Sequence, residues 1–200
     1  SIWLIVTLVV TLVIGTRYEV GGDWQGLLEL STYYIGKGIH VAMDYESLSY
    51  GLLNWTSENL GLGIYGVNTV CGALFITGLA IFCRRQPIPW LTWLVATPYL
   101  LIVVGMGYTR QSVALGFLLW GLAFLDEKKI GRFILLVLIG ATFHKTVLLM
   151  APLAFLGREI KWWVRVVILL ALIVALAIVA SDNKLVMGKD IGEAAIFLVK

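Results

Sequence analysis

Long apolar runs decide most of what this chain can become. Residues 2–15, 61–83, 90–107 and 112–125 carry no charged side chain, and hydrocarbon offers a backbone no water to bond. Each run must therefore close its N–H and C=O groups within a helix. Of all residues, 60% are hydrophobic and 14% charged, with a mean hydropathy of +0.93; soluble domains carry about a quarter charged residues. The fold expected is all-α: a polytopic integral membrane protein with about six to seven membrane helices and amphipathic helices lying along the interface. The formal net charge of +3 is small, and no basic face or aromatic–basic repeat points to nucleic acid. Cys71 and Cys83 fall in one run, roughly 18 Å apart along a helix, too far for a disulfide. With two histidines and neither CxxC nor HExxH, no zinc site is expected.

Charge distribution orients the runs. Residues 16–60 hold Glu19, Asp23, Glu29, Asp44, Glu46 and Glu58 against Arg17 and Lys37, a poor cytoplasmic loop by the positive-inside rule. Gly21-Gly22 ends any helix continuing from residues 2–15. After them, residues 24–34 and 45–60 are spaced for interfacial helices, with Trp24, Tyr33, Tyr34, Tyr45, Tyr50 and Trp55 suited to an aromatic belt. A soluble lid is the rival for this segment. Residues 61–83 form a full span closed by Arg84-Arg85 on the cytoplasmic side, and Pro87 and Pro89 turn the chain. Residues 90–107 return outward and leave Tyr108-Thr109-Arg110-Gln111 at the outer end. Residues 112–125 come back to Asp126-Glu127-Lys128-Lys129 and Arg132. Segment 133–157 is read as a broken helix or helical hairpin interrupted near residues 143–146, which keeps Arg158, Lys161 and Arg165 cytoplasmic; a straight span is the alternative. Residues 164–180 then cross outward to a short loop at 181–190. The whole is one membrane domain over 1–200, expected to be a piece of a longer protein truncated at both ends.

Three short polar stretches stand out against this background. A charged side chain at bilayer depth costs about 2.5–3.5 kcal/mol on insertion scales, so Arg110 needs a polar cavity, a partner or a headgroup. A guanidinium offers five donors in a fixed fork, suited to a diphosphate or carboxylate, and Gln111 adds a donor and an acceptor for a sugar hydroxyl. The plainer reading is an interfacial arginine snorkelling to headgroups. In residues 17–23, Arg17 can bind an anion, Asp23 can take a proton, and Gly21-Gly22 let backbone approach a ligand closely; a charged turn after a span is the plainer account. His144-Lys145 lies deep in an apolar segment, where histidine can act as general base or satisfy carbonyls freed by a helix break. Lys145 at that depth needs an acid or phosphate close by. Residues 61–66 match GxGxxG, but no strand precedes them, so close helix packing replaces the nucleotide reading.

These residues as a set resemble the EpsG/Wzy-type family of exopolysaccharide and O-antigen repeat-unit polymerases. The matching pieces are Arg17-Tyr18-Glu19-Val20-Gly21-Gly22-Asp23-Trp24, then Tyr108-Thr109-Arg110-Gln111 opening a helix, then Phe143-His144-Lys145, in that order across most of residues 10–160. Gly22 stands where the family pattern has a Thr or similar residue. The resemblance implies a multi-pass enzyme of the bacterial inner (cytoplasmic) membrane. It would be a metal-independent glycosyltransferase that joins oligosaccharide repeat units carried on undecaprenyl diphosphate, on the outer face. The implied partners are that lipid-linked oligosaccharide, the lipid bilayer, and other polysaccharide export and chain-length proteins; no cofactor is implied. Arg110 and Arg17 would hold the donor diphosphate as leaving group, and His144 or Asp23 would take the proton of the acceptor hydroxyl. Glu19, Trp24, Gln111 and Lys145 complete the substrate-binding set, Trp24 by stacking on a sugar face. A flippase or exporter of the same lipid-linked glycan, and a non-catalytic membrane subunit of a polysaccharide assembly complex, are the alternative functions.

Overall fold

The computed structural model describes residues 2–126, 129–156 and 166, which are mostly helical and joined by turns and short irregular stretches, with no strand among them. Outside the described residues lie Glu127, Lys128, Arg158, Lys161 and Arg165, the span expected at 164–180 apart from Val166, and the outer loop at 181–190. The chain divides into two compact units, Ser1–Met150 and Ala151–Lys200.

The first unit opens with α1 (Ile2–Gly15), followed by three helices over the loop expected outside: α2 (Trp24–Tyr34), α3 (Ile39–Met43) and α4 (Leu48–Asn59). Next come α5 (Gly63–Arg84) and α6 (Pro89–Ala96), the latter with proline in its first turn, where a missing N–H removes no bond. From Thr97 to Gly105 the ladder widens to a π-helix; Pro98 lacks the donor that an α-ladder needs there. The unit then continues through α7 (Thr109–Asp126), α8 (Ile130–Ala141) and a 3-10 turn, Lys145–Met150. Of the second unit, the described part is a turn leading to the short helix α9 (Leu153–Leu156) and the exposed Val166.

Helix α5 is the axis of the first unit, packed by α1 on one side and α7 on another, with α8 against α7. Glycine lets the backbones meet. A Cβ at Gly116 would lie 2.6 Å from Phe75 Cα, and one at Gly78 would strike the Gly116 carbonyl. Small residues at a crossing allow this approach where lipid supplies no hydrophobic force between helices. Gly116→Leu is therefore expected to part α5 from α7, costing about 1–3 kcal/mol. Gly131→Leu, on a face where a Cβ meets nothing within 4 Å, should melt like the parent in detergent. The glycines at 61–66 serve mainly another purpose: Gly61 and Gly63, at φ +69° and +54°, turn the chain from α4 into α5.

The apolar faces point both ways. Phe75, Ile76, Leu79, Cys83 and Ile14 are buried at the α1–α5–α7 contact. Ile2, Leu4, Ile5, Leu8, Val9, Leu12 and Val13 of α1 stay exposed, as do Leu135 and Leu138 of α8. Aliphatic surface on this scale fits lipid contact. Helix α5, at 22 residues, is long and apolar enough to cross a bilayer, reaching about 33 Å. Ile2–Gly15, Pro89–Gly105, Thr109–Leu125 and Ile130–Ala141 are apolar but shorter, so fewer full-length spans are found among the described residues than the sequence leads one to expect. Trp3 stacks on Trp90 at 4.3 Å and meets Trp93 edge-on at 5.7 Å. The start of α1 thus lies beside the start of α6, at the far end of α1 from Arg17.

Candidate functional site

Beyond α1 the chain folds back over the start of α7. Glu19 at φ +52° and Gly21 at φ +106° make the reversal. A Cβ at Gly21 would collide with the Met106 carbonyl and sit 3.1 Å from both Arg17 Nη1 and Asp23 Oδ1, so glycine is required there on two counts. The loop closes Arg17 onto Asp23, with Nη2 3.1 Å from Oδ1.

That ion pair is the centre of a clamp. Asp23 Oδ2 accepts from the Thr109 backbone N–H at 2.7 Å and from its hydroxyl at 2.6 Å. Thr109 is the first residue of α7, so a carboxylate from a distant loop caps that helix where its dipole favours negative charge. Arg17 also donates from Nη2 to Thr109 Oγ1 at 2.6 Å and Asn68 Oδ1 at 3.3 Å, and from Nη1 to the Met106 carbonyl. Only 4% of Arg17 is exposed. Its terminal nitrogens are all engaged by protein acceptors, and Nε and Asn68 Nδ2 are buried without a partner among the described residues.

Arg110, the next residue along, is held differently. Its Cζ lies 5.8 Å from the Tyr50 ring centre and 6.0 Å from that of Tyr45, at the range where a ring face attracts a cation. Burial pushes the Tyr50 hydroxyl far above its ordinary ionisation range, so that ring is neutral. Half-buried, Arg110 has no carboxylate or carbonyl partner among the described residues. Gln111 beside it is exposed.

Helix α8 stops at Ala141, and residues 142–144 turn into the 3-10 segment. The Ser49 hydroxyl shares a 2.7 Å hydrogen bond with that of Thr142, and the Ser49 N–H donates to the Thr142 carbonyl at 3.4 Å, tying α4 to the break. Phe143 stacks on Phe117 of α7 at 6.1 Å. Half-buried His144 has Nδ1 2.7 Å from Thr146 Oγ1 and feels the charges of Arg110 and Glu46. Lys145 does have an acid close by, Glu46 at 3.2 Å, but both side chains are 68% exposed. The sequence reading placed this lysine deep; the helix break brings it to the protein surface, where such a pair contributes about 0–1 kcal/mol.

The structure thus joins Arg17 and Asp23 in one clamp on Thr109. Arg110, the next residue, lies by Tyr45 and Tyr50, near enough to His144 for its charge to act there, and Lys145 pairs with Glu46. Trp24 is 5% exposed, with Tyr18 edge-on at 5.7 Å and Tyr65 at 6.5 Å, so most of its indole is buried. Glu19 is exposed beside Tyr18, whose hydroxyl it pushes above its ordinary ionisation range through a hydrogen bond and then its charge. Sequence reasoning passed over Thr109, Asn68, Tyr45 and Tyr50 as site residues. Asn68 was detectable as a polar side chain inside an uncharged run; the two tyrosines were indistinguishable from belt aromatics.

Apolar helices that expose aliphatic faces, with a charged cluster gathered at one end, define a membrane protein. The chain belongs to the EpsG family, whose model matches residues 1–191. Family membership associates it with polysaccharide assembly at a membrane. Comparison with curated proteins and with solved structures gave no match.

Proposed function

We propose that this chain belongs to a membrane glycosyltransferase that polymerises undecaprenyl-diphosphate-linked oligosaccharide repeat units into exopolysaccharide or O-antigen, on the outer face of the bacterial cytoplasmic membrane. One observation carries the reading: Arg110 presents a guanidinium with no protein acceptor among the described residues, in a chain where an uncompensated charge is costly. A diphosphate is the complement of that fork.

In the proposed reaction, an acceptor sugar hydroxyl oxygen attacks the donor's anomeric carbon. The bond from that carbon to the diphosphate oxygen breaks, and its electron pair leaves on the diphosphate, held by Arg110. The hydroxyl proton passes to His144 Nε2, while Nδ1–H donates to Thr146 Oγ1. Asp23 is not assigned this proton, because both its oxygens already accept hydrogen bonds from Arg17 and Thr109. Arg17 and Asp23 are assigned to positioning the start of α7, and through it Arg110, in place of direct contact with phosphate. Gln111 and Lys145 are left for sugar or phosphate oxygens.

Purified full-length protein in vesicles, supplied with lipid-linked repeat units, tests this reading. His144→Gln is expected to lower the joining rate at least about a hundredfold, while undecaprenyl diphosphate still binds. Undiminished joining would remove His144 as the base. Passage of single units across the vesicle without joining would instead identify an exporter, and neither activity would leave a structural subunit.

A further inference from the structure

A polar side chain buried in an apolar helix needs a reason, and the proposed reaction leaves Asn68 unused. It projects from α5, 1% exposed, beside Val67 and one turn from Cys71. Its Oδ1 accepts from Arg17 Nη2 at 3.3 Å, but among the described residues its Nδ2 has no partner, and neither has Arg17 Nε. A carboxylate at this position would serve the arginine better, as an oxygen would replace the idle amide nitrogen. What it would change is charge. The clamp as built contains one cation, Arg17, one anion, Asp23, the Thr109 hydroxyl and the Asn68 amide, so its formal charges cancel. Arg110 follows Thr109 directly, and the nearby Glu46 is paired with Lys145.

We propose that Asn68 is a positioning residue that anchors Arg17 while keeping the clamp electrically neutral, so that the charge of Arg110 is offered whole to an anionic ligand. The ligand's identity as a lipid diphosphate rests on the function proposed above; the charge balance does not.

The test reads the local potential at position 110. Arg110→Cys is modified by two methanethiosulfonate reagents of similar size, one anionic and one cationic, and the ratio of their rates is measured. Cys71 and Cys83 are buried and remain silent. Asn68→Asp is expected to shift the ratio about three- to tenfold toward the cationic reagent. Asp23→Asn is expected to shift it the opposite way, and the double variant to return close to the parent. Asn68→Leu should leave the ratio unchanged but lower the melting temperature, which reads the anchoring of Arg17 alone; the shift in Asn68→Asp is the readout that a merely structural asparagine would not move. An Asn68→Asp ratio equal to the parent's overturns the proposal. If that variant does not fold, an unchanged ratio in Asp23→Asn overturns it equally. With Arg110 restored, Asn68→Asp should weaken binding of undecaprenyl diphosphate in vesicles several-fold more than Asn68→Leu. A shifted ratio with unchanged diphosphate binding keeps the neutral clamp and sinks the diphosphate reading instead.

Discussion

Arg110→Lys should abolish polymer formation, although it keeps the charge and much of the reach. Lysine presents a point charge on a flexible stem, whereas the fork of arginine can hold two phosphate oxygens in one plane. Loss of one preorganised donor at a developing anion costs about a hundred- to a thousandfold in rate, and a chain built by many successive additions magnifies this. Arg110→Ala should do the same. Both variants should reach the membrane in normal amount, because Arg110 makes no hydrogen bond or ion pair among the described residues. Polymer of ordinary length from Arg110→Lys would refute the fork.

Arg17→Leu is expected to act on stability first. It removes the donors to Asp23, Asn68, Thr109 and the Met106 carbonyl together. It also leaves the Asp23 carboxylate, 25% exposed, without its cation. Breaking a buried pair from one side costs about 3–5 kcal/mol. The melting temperature in detergent should fall sharply, and activity with it, since the start of α7 loses its brace. The double variant Arg17→Leu, Asp23→Asn should melt higher than Arg17→Leu alone, because the stranded charge is gone. An Arg17→Leu protein that melts like the parent would show that the clamp contributes nothing to the fold.

These two arginines mark how far the sequence could be read. Both were visible as charges in an apolar chain, since the cost of burying charge depends on residue type and hydrophobic context alone. Their different situations were not visible. Arg17 is consumed by acceptors 51 and 92 residues away, Asn68 and Thr109, and a partner so distant leaves no local spacing to detect. Arg110 stays open because its neighbours are tyrosine rings from α3–α4 and α4. The helical class followed from the uncharged runs, and so did the lack of a bridge between Cys71 and Cys83, both reduced and buried in α5. The number of full-length spans did not follow, because hydropathy counts residues, while helix ends are set by turns and by the π-segment after Thr97. Trp24 shows another gap: an aromatic beside charges suggests a sugar platform, while its burial, at 5% exposed with Tyr18 and Tyr65 alongside, depends on distant helices.

The most direct test places a cysteine beside the open fork. Gln111 is exposed and adjacent to Arg110, so Gln111→Cys should react with a membrane-impermeant thiol reagent added from outside intact cells. Undecaprenyl diphosphate should slow that reaction, whereas uncharged undecaprenol should not. Labelling only from the cytoplasmic side, or equal protection by both lipids, would contradict an outward guanidinium that recognises a diphosphate.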